Sequence, residues 1–381
     1  MATPANSKLE ALPPSGIRVV QYRMRPTSID LSIGQPSLMP DPQPFDKAAH
    51  WVREHGCPYP PYNGLPELRA AVADVYGGRF HDSADNVCVT NGSQEAIFLA
   101  IKSLLEPGRD EVLIVDPGYP SYGRCCDLEG VARRSVRAQA RNGFRVSAGE
   151  LLEALRPQTR MIVIGSPSNP SGSLFSHADV VELSRVLQAR AGEPVIVVVD
   201  EVYREMTYVP GGYPSMADAY PNTIVVQSLS KSCALTGLRV GFFIGPVEAV
   251  QLATRAHMLM MMSVSLPAQR VALDIFQRPE SLRAHHAWYV AQRTMMLEAA
   301  RANDVPVIEP DGAFYTMVPL PERWRADSTG AAHALLDQQD VVTVPGVVFG
   351  SQAEGFLRVT WAADAVSVRE GFERIGRFLR A

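Results

Sequence analysis

Short apolar runs rich in valine and isoleucine recur through the middle of the chain, at residues 111–116, 161–165, 195–200 and 223–227. Runs this short, apolar on both sides of the pleat, read as strands buried on both faces. Longer amphipathic stretches alternate with them, among them 94–105 and 177–190, and read as helices. The order strand, helix, strand predicts a mostly parallel sheet covered by helices, an α/β fold. Ligands of such sheets bind beyond the carboxyl ends of the strands. Residues 116–119, 166–169, 200–203 and 228–231 stand at or just past those ends, so the pattern gathers their polar groups around one crevice.

After Arg278 the pattern changes. A charged helical stretch over about 280–302 is followed by two short extended pieces, around 313–315 and 341–344. Residues 356–361 alternate as a half-buried strand does, and a terminal helix follows from Val366. A second domain begins near the change of pattern. The N-terminal stretch to about Pro44, with a short strand at 29–34, can pack on either domain. A length of 381 residues fits two domains at one per ~150 residues. The chain has no internal repeat and no low-complexity tract.

Composition narrows the classes of function. The chain is 46% hydrophobic and 20% charged, as ordinary globular proteins are, and its net charge of -4 argues against nucleic acid as a partner. Its first ten residues are polar, and no run reaches the ~18 apolar residues that span a bilayer, so no membrane partner is expected. The greasiest stretch, 258–262, then reads as core or subunit interface. Five cysteines with no C-x-x-C pair suit neither a disulfide framework nor a metal site, and point to a reducing cytoplasm. Asn91-Gly92-Ser93 fits a glycosylation sequon, without the secretory context that would give it meaning.

The strongest chemical signal is Lys231, in Ser228-Leu229-Ser230-Lys231-Ser232, with Arg239 eight residues on in Thr236-Gly237-Leu238-Arg239. A lysine amine bonds to an aldehyde, and the planar fork of an arginine takes two phosphate oxygens at once. Thr90-Asn91-Gly92-Ser93-Gln94 precedes a helical pattern, where free backbone N–H groups and a hydroxyl suit a phosphate. Asp200 ends the most apolar strand, so its carboxylate needs a cation or a donor, and a protonated ring nitrogen would serve. Asn169 lies in a turn-forming run, Tyr203 three residues past Asp200, and Tyr119 at a strand end where its ring can lie on another ring. Each feature alone has a plain structural alternative. Lys231 can be a solvated charge, Asn-Gly-Ser a helix cap, Asp200 the partner of a core arginine, Asn169 a turn residue, and the tyrosines core.

Taken together, these residues resemble the fold-type I aminotransferases that depend on pyridoxal 5'-phosphate (PLP), the class I/II group, from about Ile29 to the C-terminus. The resemblance implies a large PLP-binding domain over 45–280, and a smaller α+β domain made of 1–44 and 281–381. It implies that Lys231 holds PLP as a Schiff base and later shuttles a proton, that Asp200 binds the ring nitrogen, that Asn169 and Tyr203 bind the ring oxygen and that Tyr119 stacks on the ring. Gly92, Ser93, Gln94, Ser228, Ser230 and Arg239 would hold the phosphate. Arg358, with Gly34 and Asn169, would bind the substrate carboxylate, and a bidentate guanidinium there is positioning chemistry. Tyr59, in Tyr59-Pro60-Pro61-Tyr62, would reach the phosphate of a partner subunit, which implies a homodimer with composite sites.

The implied reaction moves the amino group of an L-amino acid to a 2-oxo acid, ping-pong, through pyridoxamine phosphate. A carbon-sulfur β-lyase on the same fold is the alternative, and a non-enzymatic PLP or amino-acid sensor a third reading, for which neither terminus has room for an output module. The chain departs from many such relatives between Ser15 and Asp30, where it is compact and they carry a longer helix. Nothing in the sequence is assigned to a side-chain carboxylate of the substrate. Arg124, Arg133 and Arg134 are candidates by charge alone, and a surface role fits each of them.

Overall fold

The computed structural model describes residues 6–12 and 16–381; residues 1–5 and 13–15 of the N-terminal segment, Ser15 included, lie outside the described residues. Among the described residues, twelve strands follow in chain order. They are β1 (Ile29–Asp30), β2 (Val87–Thr90), β3 (Glu111–Asp116), β4 (Ala132–Arg137), β5 (Thr159–Gly165) and β6 (Ile196–Asp200), then β7 (Thr223–Ser228), β8 (Gly241–Ile244), β9 (Tyr315–Pro319), β10 (Val341–Val342), β11 (Val344–Pro345) and β12 (Phe356–Thr360).

Seven of them form the central sheet in the order β2-β8-β7-β6-β5-β3-β4. The four apolar runs of the sequence are its β7, β6, β5 and β3, which lie side by side and parallel, so their carboxyl ends do meet at one edge. Both faces are buried, because the side chains alternate. Met161, Val163 and Val198 enter one apolar cluster, while Ile162, Ile164, Val197 and Val199 enter another on the opposite face. Each such side chain adds about 1.5–3 kcal/mol of burial. The pattern missed β2, β4 and β8 for identifiable reasons. β4 is an edge strand that buries only Val136, and β2 and β8 are four residues each. β8 also runs antiparallel to both of its neighbours.

A second sheet has the order β11-β12-β9, all antiparallel, and β1 pairs in parallel with β10. One core joins Ile29 and Leu31 from the N-terminal segment to Phe314, Leu357, Val359, Trp361 and Phe372. The expected half-buried strand at 356–361 is corrected here. Leu357 to Trp361 are all buried, since Leu357 and Val359 face that core while Arg358 is covered by the rings of Tyr315 and Phe349.

The helices hold closer to expectation. Ser93–Leu104 and His177–Ala189 match the predicted stretches, and Ala365–Arg380 begins where Asp364 accepts from the Val366 and Ser367 amides. The stretch near 280 divides into a 3-10 turn, Pro279–Arg283, and a helix, His286–Ala302. The run 258–262 is not core of this chain, for Leu259 is 82% exposed and Met260, Met261 and Met262 are exposed beside it. No described helix is long and apolar enough to cross a membrane.

Candidate active site

The carboxyl edge of the central sheet opens into a cavity of about 240 Å³. Eleven of the fourteen residues predicted for the site line it: Lys231, Asp200, Tyr203, Tyr119, Asn169, Ser93, Gln94, Ser230, Arg239, Gly34 and Arg358. Gly92 stands directly behind the wall, with φ +77, and a Cβ there would lie 2.2 Å from the Arg239 guanidinium. Ser228 is buried, accepting from the Ser230 amide at 3.1 Å with its Oγ 2.8 Å from the Val240 carbonyl, so its hydroxyl serves the strand-to-helix junction. Tyr59 is elsewhere, 89% exposed on the surface.

Lys231 follows β7 directly, on the short helix Leu229–Ser232. Its Nζ donates to the Gly34 carbonyl at 2.5 Å and lies 5.8 Å from the centre of the Phe314 ring. Burial pushes this amine down to about 8; the Arg358 and Arg239 charges add to the shift, and Asp200 opposes it. A lysine so disposed is partly neutral near pH 8 and able to attack a carbonyl. Asp200 is not paired to a core arginine. Its carboxylate accepts from Tyr122 Oη at 2.8 Å and from the Val202 amide at 3.4 Å, and burial pushes its pKa up to about 6.

The helix Ser93–Leu104 starts at the cavity, so Ser93 and Gln94 present the amide-rich end of its backbone. Gln94 Oε1 accepts from Tyr119 Oη at 3.1 Å. Arg239, at φ +56, is exposed and anchored by the Thr236 carbonyl at 2.9 Å. Arg358 stands on β12, the middle strand of its sheet, and its side chain is buried. Its guanidinium donates to Asn169 Oδ1 at 3.0 Å and to the Ser32 carbonyl, and lies 4.2 Å from the centre of the Tyr315 ring. Its Nε is buried with no partner, an open valence of the kind an anionic ligand fills.

Sequence reasoning passed over two side chains on this wall, Tyr122 and Tyr315. Tyr122 stood in plain view, three residues past Tyr119 in the first turn of a helix that leaves a strand end. Tyr315 carries no local signal. It joins the site through tertiary packing, its Oη 3.2 Å from that of Tyr203. Of the arginines named by charge, Arg133 pairs with Asp127 at 2.7 Å and Arg134 with Glu111 at 3.1 Å, both from the edge strand β4. All five cysteines are free, and four are buried.

The donor set suits a phosphorylated pyridine aldehyde. The cavity offers an amine for the aldehyde, a carboxylate for the ring nitrogen, and a helix N-terminus with Arg239 for the phosphate, where the missing Cβ of Gly92 leaves the guanidinium room. The family described as aminotransferase class I and II matches residues 26–375. The chain belongs to this family. An aspartate aminotransferase of Pyrococcus horikoshii is 33% identical over 92% of this chain and 90% of its own length. A probable N-acetyl-LL-diaminopimelate aminotransferase of Bacillus subtilis is 29% identical over 98% of this chain and 95% of its own. Among solved structures, the aspartate aminotransferase of Thermus thermophilus superposes with a TM-score of 0.91 at 26% identity, over 99% of this chain and all of that one. This class I and II aminotransferase is accordingly a PLP-dependent enzyme of fold type I, acting on amino acids and 2-oxo acids.

Proposed function

We propose that the cavity exchanges an amino group between an L-amino acid and a 2-oxo acid in two half-reactions, with ping-pong kinetics and one residue set for both. One observation carries the reading: an amine, a carboxylate and two guanidiniums line a single cavity of about 240 Å³. When bound, PLP supplies an aldehyde that condenses reversibly with amines and a ring that takes up the electron pair left at Cα. Lys231 is the amine that carries the cofactor and then moves the proton at the substrate Cα. Asp200 keeps the ring nitrogen protonated, Asn169 and Tyr203 take the ring oxygen, and Tyr119 lies against the ring face. Gly92, Ser93, Gln94, Ser230 and Arg239 hold the phosphate, with Ser228 bracing Ser230. Arg358 orients the substrate through its α-carboxylate beside Asn169 and Gly34, exchanging its present acceptors for the ligand.

The same reading divides the chain into a large domain, 45–280, and a small one, 1–44 with 281–381. The shared core of Ile29 and Leu31 with residues beyond 314 supports that division. It also makes the enzyme a homodimer whose Tyr59 reaches the partner's phosphate site. The exposed Tyr59, Leu259 and Met260 to Met262 support a subunit contact, and five free cysteines support a reducing cytoplasm.

The PLP-loaded protein, mixed with single L-amino acids and no oxo acid, should yield one equivalent of the matching 2-oxo acid and stop. Continuous release of ammonia and pyruvate would instead make it a lyase. Sedimentation of the same preparation should give twice 41.6 kDa, and a monomer with full activity would remove Tyr59 from the site.

A further inference from the structure

Asp200 is buried at the end of β6 with few polar neighbours. The Val202 amide reaches Oδ1 only at 3.4 Å, a long contact, whereas Tyr122 Oη donates to Oδ2 at 2.8 Å. Tyr122 is itself buried, on the helix Ser121–Glu129, with its ring edge-on to Tyr119 at 5.7 Å. Its hydroxyl needs a specific space. Gly165 ends β5 in register with Asp200, and a Cβ on Gly165 would come within 2.8 Å of Tyr122 Oη. Any side chain at 165 therefore pushes the hydroxyl away from the carboxylate. A strand-end glycine, a helix tyrosine and a strand-end aspartate meet at one hydrogen bond.

We propose that Tyr122 is a positioning residue for the aminotransferase reaction: lodged in the space left by Gly165, its hydroxyl holds one oxygen of Asp200 and leaves the other for the cofactor ring nitrogen. The proposal rests on the reading of Asp200 given above. A hydrogen bond donated to a carboxylate favours its charged form, against the burial that favours the neutral one. Burial and the adjacent Asp200 push the Tyr122 hydroxyl well above its ordinary range, so it remains a donor wherever the enzyme works. The other titratable groups coupled to Asp200 are Lys231, Tyr119 and Tyr203, of which Lys231 alone favours the carboxylate.

Tyr122→Phe removes one oxygen and keeps the ring, so the packing survives. In the PLP-loaded enzyme it should lower kcat roughly tenfold to a hundredfold, leave the KM for the amino donor within about twofold, and move the acid limb of the kcat profile upward by about one pH unit. The pH midpoint of the bound-PLP absorbance should move in the same direction without any substrate present. Gly165→Ala should shift both in the same sense, because it displaces the same hydroxyl. A Tyr122→Phe enzyme that melts earlier but keeps the wild-type pH profile and absorbance midpoint overturns the proposal, as does one whose loss lies in KM alone. Asp200→Asn separates the two layers of inference. If it retains activity, the reading of Asp200 fails; if it is inactive while Tyr122→Phe is normal, only the role of Tyr122 fails.

Discussion

The cavity has two walls built on different principles. The wall that carries Ser93, Asp200 and Lys231 consists of strand ends of the central sheet and the helix turns that follow them, where Ser228 Oγ accepts from the Ser230 amide at 3.1 Å and Asp200 accepts from Tyr122 Oη at 2.8 Å. The wall that carries Arg358, Tyr315 and Gly34 is closed by bonds across the chain. Arg358 reaches Asn169 at 3.0 Å and the Ser32 carbonyl, and Lys231 reaches the Gly34 carbonyl at 2.5 Å. The first wall is fixed by the fold, whatever the ligand. The second is held by neutral acceptors on a buried guanidinium, and a carboxylate is a better acceptor than an amide or carbonyl oxygen. On the proposed reading, cofactor chemistry falls to the rigid wall, and substrate recognition to the wall whose bonds can be exchanged.

The largest effect should come from the rigid wall. Lys231→Ala removes the amine proposed both to carry PLP and to move the Cα proton, and turnover should fall by roughly a thousandfold or more. PLP should still bind, because the phosphate and ring contacts remain, but without its covalent absorbance band. Measured turnover within tenfold of wild type would break the assignment at its root. Arg358→Ala comes next, and it tests whether the walls are separable. Loss of one partner of a buried charged pair should lower kcat/KM for amino donors roughly a hundredfold, chiefly through KM, while the PLP dissociation constant hardly changes. If PLP affinity falls in step with KM, Arg358 supports the cofactor wall as well and the division between the walls disappears.

The same contrast explains what could be seen in the sequence. The rigid wall was legible because Asp200 and Lys231 lie within a few positions of strands that announce themselves: Asp200 after five consecutive apolar residues, and Lys231 after β7. Even Gly92 and Ser93 were visible as a helix start. The exchangeable wall offered less. Arg358 and Gly34 were found through family resemblance, since nothing near Arg358 shows that it is buried or that residues more than 300 positions away close over it. Tyr315 was not found at all, because its place depends on an edge-on contact with Tyr203 and on the Arg358 guanidinium over its ring. The antiparallel β8 escaped for a related reason, being short and reached by a tight turn through Arg239 at φ +56. Patterns report how one element meets the core. They do not report which distant element completes a site.

The smallest effect lies where the walls touch electrically. The Lys231 amine is pushed down from 10.5 to about 8, first by burial and then by the Arg358 guanidinium of the other wall, with Arg239 contributing and Asp200 opposing. Below that midpoint the amine is charged and cannot attack an aldehyde; above it, the amine is neutral. Uptake of PLP by the apoprotein, followed by absorbance, should therefore accelerate as pH rises through about 8 and then level off. Replacing Arg358 with leucine removes a like charge, so the midpoint should climb toward the ordinary lysine value by a fraction of a pH unit. Asp200→Asn removes the one opposing charge, so the midpoint should drop by a similar amount. Opposite shifts would mean that the exchangeable wall tunes the reactivity of the rigid one, and that a substrate carboxylate neutralising Arg358 makes Lys231 a stronger base at the moment a proton must be taken. An identical midpoint in all three proteins would mean that burial alone sets the amine, leaving the two walls independent in charge as well as in construction.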